Sequence, residues 1–304
     1  MTTETTVDIC ICTFRRPHIV ETLRSVEAAL RPAKTVLRIV VVDNDDTPSA
    51  ETMVREASAA MTLAVRYVHA PGANISIARN AGLDAATAEW VAFLDDDEIV
   101  EPDWLTALLT RQAATGADAV FGHSRAIYGP GTPDWIREGD FHSQVPVLRG
   151  GAVQTGHTCN ALLRWAGAPW VAERFALERG RSGGEDTEFF FRLRGLGATY
   201  AIADDSIVRE DVPPGRASLD WLLKRRFRIG QSYAASANGI GLRAALFVSA
   251  AAKSAYSFAR ALPAWPRMDR RAFWLMRGTM HAGVCAGCLN LSQRALYGER
   301  GNQT

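Results

Sequence analysis

Two apolar runs in the first hundred residues stop abruptly in acidic and amide side chains, and this feature most narrows the folds open to the chain. Val36 to Val42 leads into Asp43-Asn44-Asp45, and Trp90 to Leu94 leads into Asp95-Asp96-Asp97-Glu98. Between and around them, strand-like and helix-like segments alternate. The pattern predicts strands at Val7 to Cys12, Val36 to Val42, Leu63 to Val68, Trp90 to Leu94 and Ala117 to Gly122. It predicts helices at Pro17 to Leu30, with Pro at the start, at Ile75 to Ala86 and at Pro102 to Thr115. Repeated units of this length imply an α/β fold: an open, mostly parallel sheet with helices on both faces. Such sheets bind ligands beyond the carboxyl ends of their strands, which is where the acids fall.

The remainder is less regular. Tyr128 to Gly151, rich in Gly and Pro, reads as a long loop, and Thr158 to Arg164 as a returning strand. Gly183 and Gly184 lead into a helix from Glu185 to Leu196, followed by short strands at Ala198 to Ala203 and Ile207 to Glu210. From Ala217 the pattern is helical, with breaks near Gly239, Pro263 and Pro266. Charge separates the two parts. From Arg216 onward there are 14 Lys and Arg against 3 Asp and Glu, whereas the first 215 residues carry 20 against 30. We therefore expect an α/β domain over 1–215 and a basic helical region over 216–304, the latter facing a membrane surface or a ligand.

The five cysteines, Cys10, Cys12, Cys159, Cys285 and Cys288, are odd in number and scattered, unlike a disulfide framework. Met1 to Thr6 lacks an apolar signal core, so a cytoplasmic location is expected. Leu242 to Leu262 is interrupted by Arg243, Lys253 and Arg260, which suits an interfacial helix better than a span.

The block Asp95 to Glu98 carries the strongest chemical signal. Consecutive carboxylates repel one another unless a cation neutralises them, and hard oxygen ligands favour Mg²⁺ or Mn²⁺. A helix cap with extra acids is the plainer alternative. Asp43 is placed to bond a base or ribose, although Asp is also common where strands turn. In Gly183-Gly184-Glu185-Asp186 the glycines allow close approach of a substrate, and a carboxylate can take a proton from a hydroxyl. Acids at a helix start are also ordinary dipole partners.

Taken together these motifs resemble the inverting family 2 glycosyltransferases of the GT-A fold. The similarity begins at Cys12-Thr13-Phe14-Arg15-Arg16-Pro17, continues through Asn74-Ile75-Ser76-Ile77-Ala78-Arg79-Asn80, and covers roughly residues 7–230. Within that family the chain is most similar to exopolysaccharide glucosyltransferases of the succinoglycan pathway. The stretches that carry this are Gly139 to Ser143, Thr158 to Leu163, Ser182 to Asp186 and Lys224 to Arg228.

The resemblance implies that Thr13, Arg15, Asp43 and Arg79 hold the nucleotide and that Asp96 touches the ribose. Asp97 would ligate the metal, with Asp95 in a metal or ribose role. Asp186 would be the catalytic base, with Glu185 orienting or binding the acceptor. Where the family often has a His near the diphosphate, this chain has Arg209, which cannot ligate a metal but can pair with phosphate. The implied donor is a nucleotide diphosphate sugar, UDP-glucose by the resemblance, and the acceptor a lipid-diphosphate-linked oligosaccharide. The basic C-terminal region is expected to dock on an anionic membrane surface, and no nucleic acid partner is expected. A metal-dependent nucleotidyltransferase would call for a Gly-rich phosphate loop where Thr13-Phe14-Arg15-Arg16 stands. A non-catalytic sugar-nucleotide-binding protein would have no need of both Asp97 and Asp186.

Overall fold

The structure is a computed structural model that describes residues 4–146, 148–181, 183–234 and 239–291. Ser182, one of the residues carrying the resemblance, and the end of the helical pattern beyond Leu291 lie outside the described residues. The chain divides into two compact units. The first comprises Met1–Ala126, Ser143–Arg181 and Glu185–Glu210, and the second Ile127–His142, Ser182–Gly184 and Asp211–Thr304. Ile127–His142, which the sequence reading places within 1–215, thus packs with the helical unit instead.

The elements follow in chain order as β1 (Thr5–Thr13), α1 (Ile19–Ala28), β2 (Thr35–Asp43), α2 (Glu51–Ser58), β3 (Ala64–His69), α3 (Ile75–Ala85), β4 (Trp90–Asp95), β5 (Glu98–Val100), α4 (Trp104–Thr115), β6 (Ala119–Tyr128), α5 (Asp134–Gly139), β7 (Leu148–Arg149), β8 (Ala152–Val153), β9 (Asn160–Arg164), α6 (Glu185–Gly195), β10 (Tyr200–Val212), α7 (Leu219–Ala234), α8 (Ile240–Ala261) and α9 (Met268–Cys288). One sheet has the strand order β3-β2-β1-β4-β9-β6-β10-β5. Strands β3, β2, β1 and β4 are parallel, whereas β9 runs antiparallel to both β4 and β6, and β10 antiparallel to β5. The sheet is thus parallel in its first half and mixed in its second.

Alternation along the central strands builds a core on each face. Ile9, Ile11, Ile39, Val41, Ala92 and Leu94 point to one face, where they meet Ile19, Leu23 and Val26 of α1 and Trp104, Leu105 and Leu108 of α4. Cys10, Val40, Val42, Val91 and Phe93 point to the other, against Ala78 and Leu83 of α3 and Phe189, Phe190 and Leu193 of α6. A strand buried on both sides must be apolar at every position, which accounts for the uninterrupted run Ile39 to Val42. Trp104, Trp165 and Trp170 lie in these cores.

In the second unit, Ile136 and Phe141 pack with Leu222 of α7 and with Ala272 and Met276 of α9. Gly230 of α7 and Gly283 of α9 let the two helices approach to backbone contact, since a Cβ on either would strike the other helix's main chain. Helix α8 turns its small residues Ala250, Ser254, Ser257 and Ala261 inward. Its outward side chains include Ile240, Leu242, Val248 and Tyr256, each more than half exposed. Among the described residues no helix is long and apolar enough to cross a membrane.

Candidate active site

The parallel strands end in one row. Thr13 of β1 is opposite Asp43 of β2, and Cys12 of β1 is opposite Asp95 of β4. Backbone register alone therefore gathers residues distant in sequence at the carboxyl edge of the sheet.

Thr13 Oγ1 donates to Asp96 Oδ2 at 2.7 Å, and Arg16 Nη1 donates to Asp96 Oδ1 at 3.0 Å. Arg16 also pairs with Asp97. Arg15 sits in the left-handed region (φ 57°), a conformation that non-glycine residues rarely hold. Its Nε donates to Asp45 Oδ1 at 2.8 Å, which anchors the loop after β1 to the loop after β2.

Asp43 is fully buried. Its Oδ1 accepts from the Asp45 N–H at 3.0 Å, and its Oδ2 accepts from the Ala50 N–H and the Tyr67 hydroxyl, each at 2.8 Å. These bonds turn its carboxylate inward. In this structure Asp43 shapes the loop that follows β2, rather than presenting oxygens to a base or ribose as its position in sequence suggests.

The motif Asn74 to Asn80 divides its work. Asn74 caps α3 by accepting from the Ser76 N–H at 3.0 Å and donates through Nδ2 to the Leu177 carbonyl at 2.9 Å. Ser76 Oγ donates to the Ala176 carbonyl at 2.8 Å, and Asn80 exchanges two hydrogen bonds with the backbone of Phe175. The polar residues of this motif thus fasten residues 175–180 onto α3, which leaves Arg79 as its charged member facing the acids.

Arg79 is buried, with its guanidinium paired to Glu185, 3.9 Å from Asp95 Oδ1, and 5.6 Å from the centre of the Phe175 ring. It joins the acid block after β4 to the Glu185-Asp186 pair that opens α6. Glu185 is itself buried, its carboxyl raised by burial against the pull of Arg79, and its Oε2 has no hydrogen-bond partner among the described residues. Asp186 is the more open of the two, at 17% side-chain exposure. Its Oδ1 accepts from the Thr187 N–H at 2.6 Å, and its Oδ2 lies 3.1 Å from His157 Nδ1.

The acid block itself is electrostatically crowded. Although 43% of the Asp95 side chain meets solvent, the protein packed around it strips water away, and Asp97, Asp96 and Glu210 add repulsion. Together these raise its carboxyl to about 7, against the pull of Arg79. Burial raises Asp96 to about 6 despite Arg16, and pushes Glu98 well above the usual carboxylate range. Glu98 Oε1 is buried with no hydrogen-bond partner among the described residues. Among those residues no group of three or more His, Cys, Asp or Glu is arranged to hold a metal unaided. The arrangement fits a hard divalent cation held by one or two carboxylates and completed by a diphosphate, which is how Mg²⁺ is ordinarily bound.

Arg209 does not reach this cluster. It pairs with Glu101, while the next residue of β10, Glu210, is opposite Glu98 and adds its charge to the acid block. The resemblance implies that Arg209 binds the nucleotide sugar and gives Glu210 no role; alternation along β10 separates the two, since adjacent strand residues face opposite ways. Arg16, Asp45, Glu98 and His157 carry no role in the sequence reading, although all but His157 stand within its motifs. The signal for Arg16 was its place beside Arg15, and for Glu98 its place in the acid block.

Comparison with known proteins agrees with this geometry. Residues 8–166 match the family model described as Glycosyl transferase family 2. The chain belongs to glycosyl transferase family 2. This glycosyltransferase is 47% identical over 97% of its length, and over 96% of the relative's length, to the succinoglycan biosynthesis protein ExoM of Rhizobium meliloti (strain 1021). A shorter stretch, 31% of the glycosyltransferase and 27% of the relative, is 35% identical to the succinoglycan biosynthesis protein ExoO of the same organism. Among solved structures, its fold is similar to that of the mannosyltransferase PcManGT from Pyrobaculum calidifontis in complex with GDP-Man and Mn²⁺. There the TM-score is 0.65 at 20% identity, covering 96% of this chain and 89% of the other. S. aureus TarS 1-349 in complex with UDP gives a TM-score of 0.52 at 15% identity, covering 95% of this chain and 93% of that fragment. Both are neighbours of this chain in the GT-A fold.

Proposed function

We propose that this glycosyltransferase passes glucose from UDP-glucose, with inversion, to a hydroxyl of a lipid-diphosphate-linked oligosaccharide during assembly of a succinoglycan-type exopolysaccharide. The observation that carries the chemistry is the bridge made by Arg79. It brings the acid block of Asp95 to Asp97 and the opening of α6 to one site at the carboxyl edge of the sheet. The near full-length similarity to ExoM supports the pathway.

Asp186 serves as the general base. The acceptor O–H bond breaks, its proton goes to the Asp186 carboxylate, and its electron pair forms the new bond to the anomeric carbon. The bond from that carbon to the diphosphate breaks on the opposite face, and its electron pair leaves with the nucleoside diphosphate. Glu185 acts one step back, balancing Arg79. Thr13 and Asp96, already hydrogen-bonded to each other, line the ribose position, and Arg15 and the Asp43 turn form the loops around the base.

Asp97 and Asp95 would hold a Mg²⁺ or Mn²⁺ ion, which as a Lewis acid stabilises charge on the departing diphosphate. The mannosyltransferase solved with Mn²⁺ supports this reading. The enzyme would act in the cytoplasm, peripherally bound to the inner face of the membrane. That location is supported by the apolar outward face of α8 and by Leu262 and Trp265, beside the exposed Arg267 and Arg270.

The test is transfer of labelled sugar from a panel of nucleotide sugars, with Mg²⁺ or Mn²⁺, into a lipid-linked acceptor extract. Label entering the lipid fraction from UDP-glucose and from no other donor supports the assignment; use of another donor, or transfer unaffected by EDTA, overturns it. Sedimentation with anionic but not neutral liposomes at low salt tests the location.

A further inference from the structure

We propose that His157 is a positioning residue that clamps the Asp186 carboxylate in the orientation needed to receive the acceptor proton. This rests on Asp186 being the base, as set out above. The carboxylate is held at both oxygens. Its own helix holds Oδ1 through the Thr187 N–H at 2.6 Å, and His157 holds Oδ2 through Nδ1 at 3.1 Å. An ionised carboxylate can only accept hydrogen bonds, so this contact places a proton on His157 Nδ1. With Oδ1 alone held, the carboxyl group could still turn about its bond to Cβ; the second bond fixes its plane.

The segment that carries His157 is built to hold it there. Two residues before it, Thr155 Oγ1 donates to the Thr187 carbonyl at 2.9 Å, tying the same turn of α6 from a second point. Gly156 lies against the Phe121 ring so closely that a Cβ would collide with it. After it, Thr158 and Cys159 are buried, and β9 begins at Asn160. The Asn160 side chain accepts from Trp104 Nε1 at 2.8 Å and donates to the His123 and Ser206 carbonyls at 3.2 and 3.1 Å. His157 therefore projects from a strap pinned on both sides, with 40% of its side chain exposed. The same contacts keep the carboxylate ionised, the form that accepts both bonds. Burial works to raise the Asp186 carboxyl, yet the hydrogen bond and charge of His157, followed by Arg79 and the Thr187 N–H, hold it at about 2.

The experiment compares His157→Ala and His157→Asn with wild type and with Asp186→Asn, using UDP-glucose and the lipid-linked acceptor extract. Wild-type transfer that is lost in Asp186→Asn, with UDP-glucose binding retained, establishes the base independently of His157. Against that background His157→Ala should lower kcat roughly 10–100-fold, the worth of a hydrogen bond to a charged group, with the UDP-glucose KM changed by less than about three-fold. His157→Asn, whose amide can offer an N–H near the position of Nδ1, should recover most of the loss. Unfolding midpoints equal to wild type exclude a folding effect, which half exposure of the side chain makes the expected result. The assignment is overturned if His157→Ala keeps kcat within about two-fold of wild type. It is also overturned if Asn rescues nothing, or if kcat and UDP-glucose binding fall together.

Discussion

Arg79 and Glu185 stand 106 residues apart in sequence and form a buried ion pair beneath the candidate site. The same guanidinium is 3.9 Å from Asp95. One cation from the first turns of α3 thus balances carboxylates that arrive from two other elements.

Removing that cation should be costly. Arg79→Leu leaves Glu185 buried without its partner, and one-sided loss of a buried ion pair typically costs ~3–5 kcal/mol. The double variant Arg79→Leu, Glu185→Leu should recover much of this. Urea unfolding of the three proteins checks it, and a single variant as stable as wild type would show the pair to be dispensable.

Asp186→Asn keeps the shape of the side chain and removes its basicity. Transfer should fall by ~10²–10⁴, the usual contribution of a placed general base, while donor affinity stays within a few-fold. Titration of UDP-glucose against the variant separates the two effects, and parallel loss of binding would move Asp186 into the nucleotide site.

Asp97→Ala removes one of the two carboxylates that Arg16 engages in the acid block. Nucleotide-sugar binding should lose its dependence on Mg²⁺ or Mn²⁺, and EDTA should silence the wild type. Unchanged metal dependence of binding in the variant, read by calorimetry, would remove Asp97 from the metal site.

Asp43→Ala tests the inward role of that residue. The Asp45 and Ala50 N–H groups and the Tyr67 hydroxyl lose their acceptor, and a buried donor left unsatisfied costs about 1–3 kcal/mol. Stability should therefore fall by roughly 2 kcal/mol or more in urea unfolding, with or without nucleotide present. A variant of wild-type stability that binds no nucleotide would instead support direct contact with the ligand.

Acid should weaken the second unit. Burial holds His142 below its ordinary range, as does the charge of Arg225 and Arg216; burial, Arg277 and Lys253 do the same for His281. Both are therefore easier to protonate unfolded than folded. Their contribution is complete above the unfolded value, about 6.5, and is lost as pH falls below it. The unfolding temperature should drop between about pH 7.5 and about pH 5.5, and His142→Gln with His281→Gln should reduce that drop. Equal pH sensitivity in the double variant would refute the assignment.

The sequence by itself determined the alternating elements of the first unit, the double-sided burial of β1, β2 and β4, and the acids at their ends. These follow from local rules. A buried parallel strand must be apolar throughout, and polar residues then mark where it leaves the core. It missed α2, α5 and β5, which are short, and it split β10 in two because the exposed Asp204 and Asp205 interrupt the apolar pattern of one strand. It could not determine which way each acid faces. Asp43 and Asp45 look alike in sequence, yet Asp43 is enclosed by Ala50 and Tyr67 while Asp45 receives Arg15. Arg209 and Glu210 are neighbours, yet only Glu210 adds its charge to the acid block. No role can be read for His157 in the sequence, because its partner is 29 residues away on another element. Orientation and pairing at such distances are set by strand register and helix packing, and these are properties of the whole fold.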